Sequence, residues 1–532
     1  MNPARYHLGE VAIIIHPGVD NVAAVIAEHL PAGTQLRLPD GNELELPQAA
    51  RRGQSLALRA LTAGDAAYSL GAPYGVAARA IAAGEVVDER NLAARLPARG
   101  TRPPQSGQQP PPWPADLEPR FRGFRREDGR YGVRNYVGLV TSGMCAATEV
   151  REIAARAQRE LLSRARYPYV DGIVPIVQES GCGMPDGQPV ELLNRLLGDA
   201  LSHPNLGAAL YVDLGCGKTC ISCSTPLFRD RLPGYSHRVR HLGIQSSGGT
   251  RRTIERGLEM VEELLETANQ ARREMAPISE LMLGVKCGGS DRWSGITANP
   301  SLGWAADCLI AAGAAVLIGE VPELQGAAHR ALRARATSRE TARKLDAAQR
   351  RYARYARMFG CDYGENPSPG NLAGGLTNIY LKSLGALAKS GSAKLADVLD
   401  YGESAGSRRG LMVVYSPGYD QISTPALFLS GAQIVGFTTG RGTGIGCALG
   451  PVLKISSNSE LARDNEDIDI DAGAILERNH GYSANANVTI EQVGHNILDR
   501  VLAIANGTYR PRAEASGLHY EFKIWESLWP SI

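Results

Sequence analysis

The fold class of this chain is decided by the stretch Glu280-Leu-Met-Leu-Gly-Val-Lys-Cys-Gly-Gly-Ser-Asp291. Residues 280–286 predict a strand, and a glycine-rich phrase follows them directly. Asn299-Pro300 then begins a predicted helix, because proline is favoured at the first helical position. Strands that end in such phrases and are followed by helices are typical of parallel βαβ units.

The same pattern recurs along most of the chain. Apolar runs that predict further strands lie at residues 136–140, 172–177, 208–214, 315–319, 411–415 and 432–437. Each run leads into a phrase of polar or thiol side chains, most of them rich in glycine. A helix over residues 257–275 is predicted to close the first α/β domain.

Four segments are predicted from these patterns. Residues 1–95 form a small β-rich domain, in which 34–46 alternate around the hairpin signal Asp40-Gly41. Residues 96–120 are a proline-rich, semi-rigid linker. Two α/β domains with mostly parallel sheets follow over residues 121–276 and 277–532.

Composition excludes several classes of protein. The 532 residues carry a net charge of +2, which is too small to indicate binding to nucleic acid or to an acidic membrane. The longest apolar stretch, residues 308–319, is too short to span a bilayer. We identify no secretion signal, and nine scattered cysteines fit a reducing cytoplasm, so we expect a cytoplasmic protein.

Glycine is the unusual residue, with 60 copies against only 6% aromatics. Ligands of open α/β sheets bind outside the carboxyl ends of the strands, which is where the glycine-rich phrases fall. The densest, Gly440-Arg-Gly-Thr-Gly-Ile-Gly446, does not match a dinucleotide fingerprint. It favours a carboxylate or phosphate nest with Arg441 as a bidentate donor.

Cysteines and histidines leave the metal chemistry open. Cys216, Cys220 and Cys223 have the C-x3-C-x2-C spacing of three ligands to a [4Fe–4S] cluster, but unligated thiols are an equal alternative. The strand-end cysteines offer a second soft-metal set: Cys145, Cys182, Cys216 and Cys287. His16 and His329 are candidate ligands or bases, although a lone histidine is more often structural.

Several phrases identify a family resemblance, and together they are highly specific. They are Gly129-Arg-Tyr-Gly-Val-Arg-Asn135, Gly181-Cys-Gly183, Val285 to Asp291, Ser294 to Pro300, Asn366 to Asn371 with Gly374 to Leu376, Pro417 to Asp420, and Phe437 to Gly442. In this order, over residues 120–507, they resemble the altronate/galactarate dehydratase family. The N-terminal segment looks like the small SAF-type domain of that family.

The resemblance implies a fold, an activity and a cofactor. Members dehydrate sugar acids such as altronate or galactarate to 2-keto-3-deoxy acids with a divalent metal, and Fe²⁺ or Mn²⁺ is expected here. A related branch eliminates sulfite from sulfolactate. The reaction needs a base for the weakly acidic proton next to the carboxylate, and a metal or donor cluster for the enediolate.

The sequence and the resemblance together select candidate site residues. For catalysis we expect Asp291, Glu320 and Glu323, and for a metal His16, Asp291 and Glu320. The alternative iron–sulfur ligands are Cys216, Cys220 and Cys223. Substrate contacts are expected from Arg134, Asn135, Cys182, Gly183, Cys287, Gly288, Gly289, Ser290, Asn371, Thr438, Thr439 and Arg441.

Departures from the family pattern keep other functions open. Gln54 and Ser55 replace a His-Lys pair, and Leu372 replaces a lysine after Asn371. The alternatives are therefore an iron–sulfur lyase of another hydroxy acid, including sulfolactate-type elimination, and a non-catalytic sugar-acid binding protein. In each case the ligand is a small molecule, and we expect a homo-oligomer.

Overall fold

In the computed structural model, residues before the proline-rich segment form a small strand-rich domain. The structure describes residues 4–97, 110–219, 237–361, 363–477, 488–518 and 520–525. The N-terminal domain contains one short helix, α1 (Leu8–Val11), and twelve short strands: β1 (Arg5–His7), β2 (Ala12–Ile13), β3 (Val22–Val25), β4 (His29–Leu30), β5 (Gln35–Arg37), β6 (Glu43–Glu45), β7 (Ala50–Arg51), β8 (Ser55–Ala57), β9 (Ala66–Ser69), β10 (Ala72–Ala77), β11 (Val86–Val87) and β12 (Leu92–Ala93).

The predicted hairpin of this domain is confirmed. Strands β5 and β6 pair antiparallel with Leu36 opposite Leu44, and both leucines are buried. Gly41 turns the chain between them with a φ of 89°. Most of the proline-rich segment lies outside the described residues, but Trp113 donates from Nε1 to the carbonyl oxygen of Leu117 at 2.7 Å.

The second part of the chain is built on a four-stranded parallel sheet in the order β16-β15-β17-β18. A separate antiparallel sheet joins β13, β14 and β19. The strands are β13 (Arg120–Arg125), β14 (Tyr131–Gly132), β15 (Tyr136–Thr141), β16 (Gly172–Ile176), β17 (Leu206–Asp213), β18 (Val239–Gly243) and β19 (Arg273–Pro277), and the helices are α2 (Ala147–Glu160), α3 (Gln188–Leu201), α4 (Ile244–Ser247) and α5 (Thr250–Ala268).

The third part contains a seven-stranded parallel sheet in the order β22-β23-β21-β20-β24-β25-β26. Its strands are β20 (Met282–Cys287), β21 (Ala315–Ile318), β22 (Leu395–Leu399), β23 (Gly410–Val414), β24 (Ile434–Thr439), β25 (Val452–Ser456) and β26 (Ile470–Asp471). Its helices are α6 (Ala298–Ala311), α7 (Gly326–Ala334), α8 (Arg339–Met358), α9 (Pro369–Ala373), α10 (Ile379–Ala388), α11 (Asp420–Leu429), α12 (Ser459–Asp464), α13 (Ala474–Glu477), α14 (Ile490–Asn506) and α15 (Arg512–Ser516).

The expected fold class is therefore confirmed: a small β-rich domain precedes α/β domains with parallel sheets. All six residues of β20 are buried, as expected for a parallel strand covered on both faces. The strand order reverses beside β20, because β21 pairs with one edge of β20 and β24 pairs with the other. Ligands of open α/β sheets bind at such a switch point.

One predicted helix is corrected. The sequence predicted a helix over residues 257–275, whereas α5 begins at Thr250 and ends at Ala268, and Arg273–Pro277 form β19. Strand β19 pairs antiparallel with β13. Helix propensity is a weak preference, and pairing with a distant strand outweighs it here. Among the described helices, none combines the length and the hydropathy needed to cross a membrane.

Candidate active site

A cavity of about 620 Å³ lies at the carboxyl end of β20, beside the switch point. The turn after β20 contributes Cys287, Gly288 and Gly289 to its lining. Helix α10 contributes Lys382, and the start of α11 contributes Asp420. The last turns of α8 supply an aromatic wall made of Tyr352, Tyr355 and Phe359.

Charged side chains are concentrated beneath this cavity. We call the group the lysine–carboxylate cluster; it consists of Lys286, Cys287, Glu320, Glu323, Lys382, Lys389 and Asp420. Its members come from the end of β20, the turn after β21, helix α10 and the start of α11. Buried charges are rare unless they are paired, so such a group indicates a site rather than a core.

Glu320 is the centre of the cluster. Its two carboxylate oxygens form ion pairs with the ammonium groups of Lys286 and Lys389, the latter at 2.8 Å. All three side chains are at most 1% exposed. Burial alone would raise the pKa of Glu320, but the two lysines outweigh it and lower that pKa to about 2.

The backbone holds Glu320 in an unusual conformation. Its φ is +65°, a region that residues other than glycine rarely adopt. The backbone N–H of Glu320 donates to Oγ of Ser416 at 3.0 Å, and the backbone N–H of Cys287 donates to Glu320 Oε2 at 3.3 Å. Strain of this kind is often found at functional sites, where the surrounding structure maintains it.

The lysines remain charged. Burial favours the neutral form of Lys389, but the neighbouring Cys287 and Glu320 reverse this and raise the pKa of Lys389. Burial also opposes the charge of Lys382, and Glu323, whose Oε1 lies 2.8 Å away, raises the pKa of that lysine. The three ammonium groups of the cluster are therefore matched by three carboxylates, and Lys382 is the lysine of the cluster that lines the cavity, where it can bind an anionic ligand.

A metal ion is compatible with part of the cluster. Ligand atoms of Cys287, Glu320 and Glu323 lie within 4.8 Å of one another. Thiolate and carboxylate ligands suit a divalent transition metal, and Glu323 Oε2 is buried without a hydrogen-bond partner. The oxygens of Glu320 accept from two lysines, and Sγ of Cys287 accepts from Lys389 at 3.0 Å, so an ion would be held first by Oε2 of Glu323, with Cys287 as its neighbouring ligand.

Several predicted residues lie at or next to the cavity. Cys287, Gly288, Gly289, Glu323 and Asn371 line it directly. Asn371 also donates from Nδ2 to the carbonyl oxygen of Ser290 at 2.7 Å. The guanidinium of Arg441 approaches α9, since a Cβ on Gly370 would lie 3.5 Å from Arg441 Nε.

Other predicted residues support the site from behind. Oδ1 of Asp291 accepts from Ser294 Oγ at 2.8 Å and from Ser457 Oγ at 2.7 Å, and its Oδ2 accepts from Asn458 at 3.2 Å. Thr438 donates to Asn299, and Thr439 accepts from the backbone N–H of Gly442 at 3.0 Å. Asp291 therefore connects loops, and its oxygens are already occupied.

The predicted metal set of His16, Asp291 and Glu320 is not brought together. The imidazole of His16 lies in the N-terminal domain, where it packs against Gly71. Within the described residues, the structure instead groups Glu320 with Cys287 and Glu323. The sequence could not distinguish these two groupings, because Glu320 and Asp291 both follow neighbouring strands. Only the structure shows that the two side chains contact different partners.

Arg134 and Asn135 are also placed elsewhere. Arg134 is buried and forms a bidentate ion pair with Glu514, at 2.7 and 2.8 Å. Asn135 donates to the carbonyl oxygens of Tyr169 and Ala268, at 2.8 Å each. Both precede β15 and therefore lie at its amino end, opposite the edge where the strand-end phrases meet.

The remaining predictions concern cysteines of the second part. Cys182, with Gly183, and Cys216 lie on loops after β16 and β17, and both thiols are exposed. Cys220 and Cys223 lie outside the described residues. The sequence reasoning missed Lys286, Lys382, Lys389 and Asp420. A lysine inside the apolar run before Cys287 was the available signal.

Comparisons with known proteins identify the family. Family models match residues 278–529 as the C-terminal domain of D-galactarate/altronate dehydratase, residues 123–269 as the second domain of D-galactarate dehydratase/altronate hydrolase, and residues 10–95 as the SAF domain of these dehydratases. The chain belongs to the galactarate/altronate dehydratase family. The resemblance inferred from the strand-end phrases is thus confirmed.

Named relatives extend over most of the chain. A galactarate dehydratase (L-threo-forming) of Escherichia coli is 34% identical and covers 95% of each chain. An altronate dehydratase of Bacillus subtilis is 34% identical over 82% of this chain and 85% of its own length. The β subunit of a (2R)-sulfolactate sulfo-lyase of Chromohalobacter salexigens is 30% identical over 76% of this chain and 98% of its own length.

Proposed function

We propose that this protein dehydrates a sugar acid, a hexonate or hexarate such as altronate or galactarate, to a 2-keto-3-deoxy acid. The observation that carries the proposal is the lysine–carboxylate cluster beneath an open cavity at the switch point of the parallel sheet. Membership of a family whose named relatives are dehydratases supports the reaction class.

Removal of the C2 proton generates negative charge that the site must stabilise. Lys382 lies on the cavity wall and stays protonated, so it can bind the substrate carboxylate and the enediolate that develops from it. Asn371 and Gly289 line the same cavity and can bind further oxygens, whereas the backbone N–H of Gly288 already donates to the carbonyl oxygen of Thr438 at 3.1 Å. Glu320 holds Lys286 and Lys389 in place rather than acting as a base, because its pKa is too low.

Asp420 is our candidate for the base. It lies on the cavity wall with its side chain 25% exposed, and Lys286 contacts its Oδ1 at 2.7 Å. That contact fixes the direction of the carboxylate. Glu323 lines the same cavity, and its carboxylate lies against Gly418, two residues before Asp420, since a Cβ on Gly418 would lie 3.3 Å from Glu323 Oε1.

The proposal includes a divalent metal ion, Fe²⁺ or Mn²⁺. Glu323 and Cys287 would hold it, with Glu320 behind them. Such an ion supplies a Lewis acid for the substrate oxygens. An iron–sulfur cluster is the alternative source of the same chemistry. The fit of a divalent ion to this site rests on Oε2 of Glu323, which is buried and has no hydrogen-bond partner.

The test is turnover of a panel of hexonates, hexarates and sulfolactate, measured as 2-keto product with added Fe²⁺ or Mn²⁺. We expect Asp420→Asn to lower kcat on the preferred sugar acid by at least about 100-fold. Asp464→Asn, at a surface position, is the matched control and should leave kcat unchanged. Sugar-acid binding without turnover under any metal would instead indicate a non-catalytic binding protein.

A further inference from the structure

Three exposed thiols follow three neighbouring strands of the second sheet. Strands β16, β15 and β17 are adjacent and parallel, so their carboxyl ends meet at one edge. Cys145 follows β15 within a single 3₁₀ turn (Met144–Ala146), and Cys182 and Cys216 lie on the loops after β16 and β17. This is the edge at which an open parallel sheet binds its ligand.

Hydrogen bonds join the three loops into one surface. The backbone N–H of Met144 donates to the carbonyl oxygen of Ser180 at 3.2 Å, which connects the loops of Cys145 and Cys182. The hydroxyl of Thr219 donates to the carbonyl oxygen of Ser142 at 2.9 Å, which connects the loops of Cys216 and Cys145. The thiols are therefore carried by segments that touch one another.

Exposure of these thiols is unusual. Cysteine is among the most frequently buried residues, and Cys287, Cys308 and Cys447 follow that rule here. Among the described cysteines, the exposed ones are Cys145, Cys182 and Cys216, and each is a free thiol. Packing does not explain why three exposed cysteines follow three adjacent strands, but binding of a soft metal does.

We propose that Cys145, Cys182 and Cys216 bind a [4Fe–4S] cluster through their thiolates. Within the described residues, these thiols do not form a group whose ligand atoms all lie within 4.8 Å, which disfavours a single ion. Ligands of a cluster attach to different irons and stand further apart. Glycines 181, 183, 215 and 217 flank two of the thiols and let backbone N–H groups approach the cluster sulfides.

Three protein ligands leave one iron open to an exogenous oxygen ligand, such as the hydroxyl or carboxylate of a hydroxy acid. The C-terminal segment connects the loop of Cys182 to the cavity wall, because Lys523 pairs with Glu179 at 3.0 Å and Trp525 stacks on Tyr352. The cluster site is separate from Glu323 and Cys287, so it neither requires nor excludes a divalent ion there.

The test is independent of turnover. The full chain is purified and reconstituted without oxygen, and we expect broad visible absorption with about four irons and four acid-labile sulfides per chain. Each of three single variants should lose most of the bound iron and most of the acid-labile sulfide: Cys145→Ser, Cys182→Ser and Cys216→Ser. Cys308→Ala, whose thiol is buried and contacts the carbonyl oxygen of Pro112, is the matched control and should keep them.

Alkylation of the wild-type chain provides a second readout that no folding defect can mimic. The three thiols should be protected from alkylation in the reconstituted protein and become reactive after a chelator removes the iron under anaerobic, reducing conditions. Iron without sulfide, zinc on these cysteines, or a disulfide between them would overturn the proposal. Loss of the cluster in Cys220→Ser and Cys223→Ser but not in Cys145→Ser and Cys182→Ser would also overturn it.

Discussion

Glu320 illustrates at the residue scale how a carboxylate can matter without acting as a base. The sequence predicted a catalytic or metal-binding role from its place after a strand. The structure surrounds it with Lys286 and Lys389, so that each buried ammonium group has an anionic partner. Its low pKa follows from this pairing.

Neutralising Glu320 should destabilise the protein. Glu320→Gln keeps the shape of the side chain but leaves two buried ammonium groups with less compensating charge. We expect the free energy of unfolding to fall by about 3 to 5 kcal/mol, measured by urea denaturation. Glu340→Gln removes an exposed ion pair with Arg343 and is the matched control, with an expected change below about 1 kcal/mol.

The same carboxylate predicts a pH dependence. Because the folded pKa of Glu320 lies near 2 and its ordinary value is 4.5, its ionised form stabilises the fold above pH 4.5. That contribution is lost as pH falls from 4.5 towards 2. The difference in unfolding free energy between wild type and Glu320→Gln should therefore narrow across this window. A constant difference would show that Glu320 is not held ionised by the lysines.

At the scale of elements, the position of a residue along its strand decides whether it lines the cavity. Cys287 is the last residue of β20, Gly288 and Glu323 lie beyond the ends of β20 and β21, and all three line the cavity. Arg134 and Asn135 precede β15, so the same sheet directs them to the opposite edge. Strand boundaries could be inferred from apolar runs, whereas partners from distant elements could not.

Arg134 provides a direct test of this distinction. It joins the start of β15 to the C-terminal helices, through Glu514 of α15 and through the carbonyl oxygen of Ile504 of α14 at 2.7 Å. Lysine cannot reproduce the bidentate pair, so Arg134→Lys should lower the free energy of unfolding by about 3 kcal/mol. KM for the sugar acid should stay unchanged.

Arg125→Lys, at an exposed position 3.9 Å from Glu274, is the control for Arg134→Lys and should change neither quantity. If Arg134→Lys raised KM several-fold while leaving stability intact, Arg134 would bind substrate as the sequence first suggested.

At the scale of the whole molecule, the N-terminal domain packs beside the active site. Arg292 donates to Oγ of Ser69 at 2.6 Å, and Leu70 lies against Gly295. Ala24 and Ile26 of the N-terminal domain share a buried cluster with Trp293. Because Arg292 follows Asp291 directly, this contact determines how the loop after β20 is held.

Gly375 makes a close backbone contact in this interface. A Cβ at this position would lie 2.3 Å from the carbonyl oxygen of Gly53, and its φ is +90°. Gly375→Ala should therefore force the two domains apart and lower both the melting temperature and kcat. Gly33 has a similar φ of +82°, but a Cβ there would meet no atom within 4 Å. Gly33→Ala therefore measures only the cost of an alanine at positive φ, about 1 to 2 kcal/mol. Equal effects of the two substitutions would contradict the interface.

The sequence by itself determined the central strands of the two parallel sheets and, through specific phrases, the family, and it predicted the edge of the sheet at which the site would lie. The strands follow from local runs of apolar residues, and the predicted edge follows from the glycine-rich phrases after them. Only the tertiary structure decided which charges meet: Lys286, Glu320, Lys389 and Asp420 come from four separate segments. Side-chain pairing depends on how distant elements pack, and a one-dimensional pattern does not contain that information.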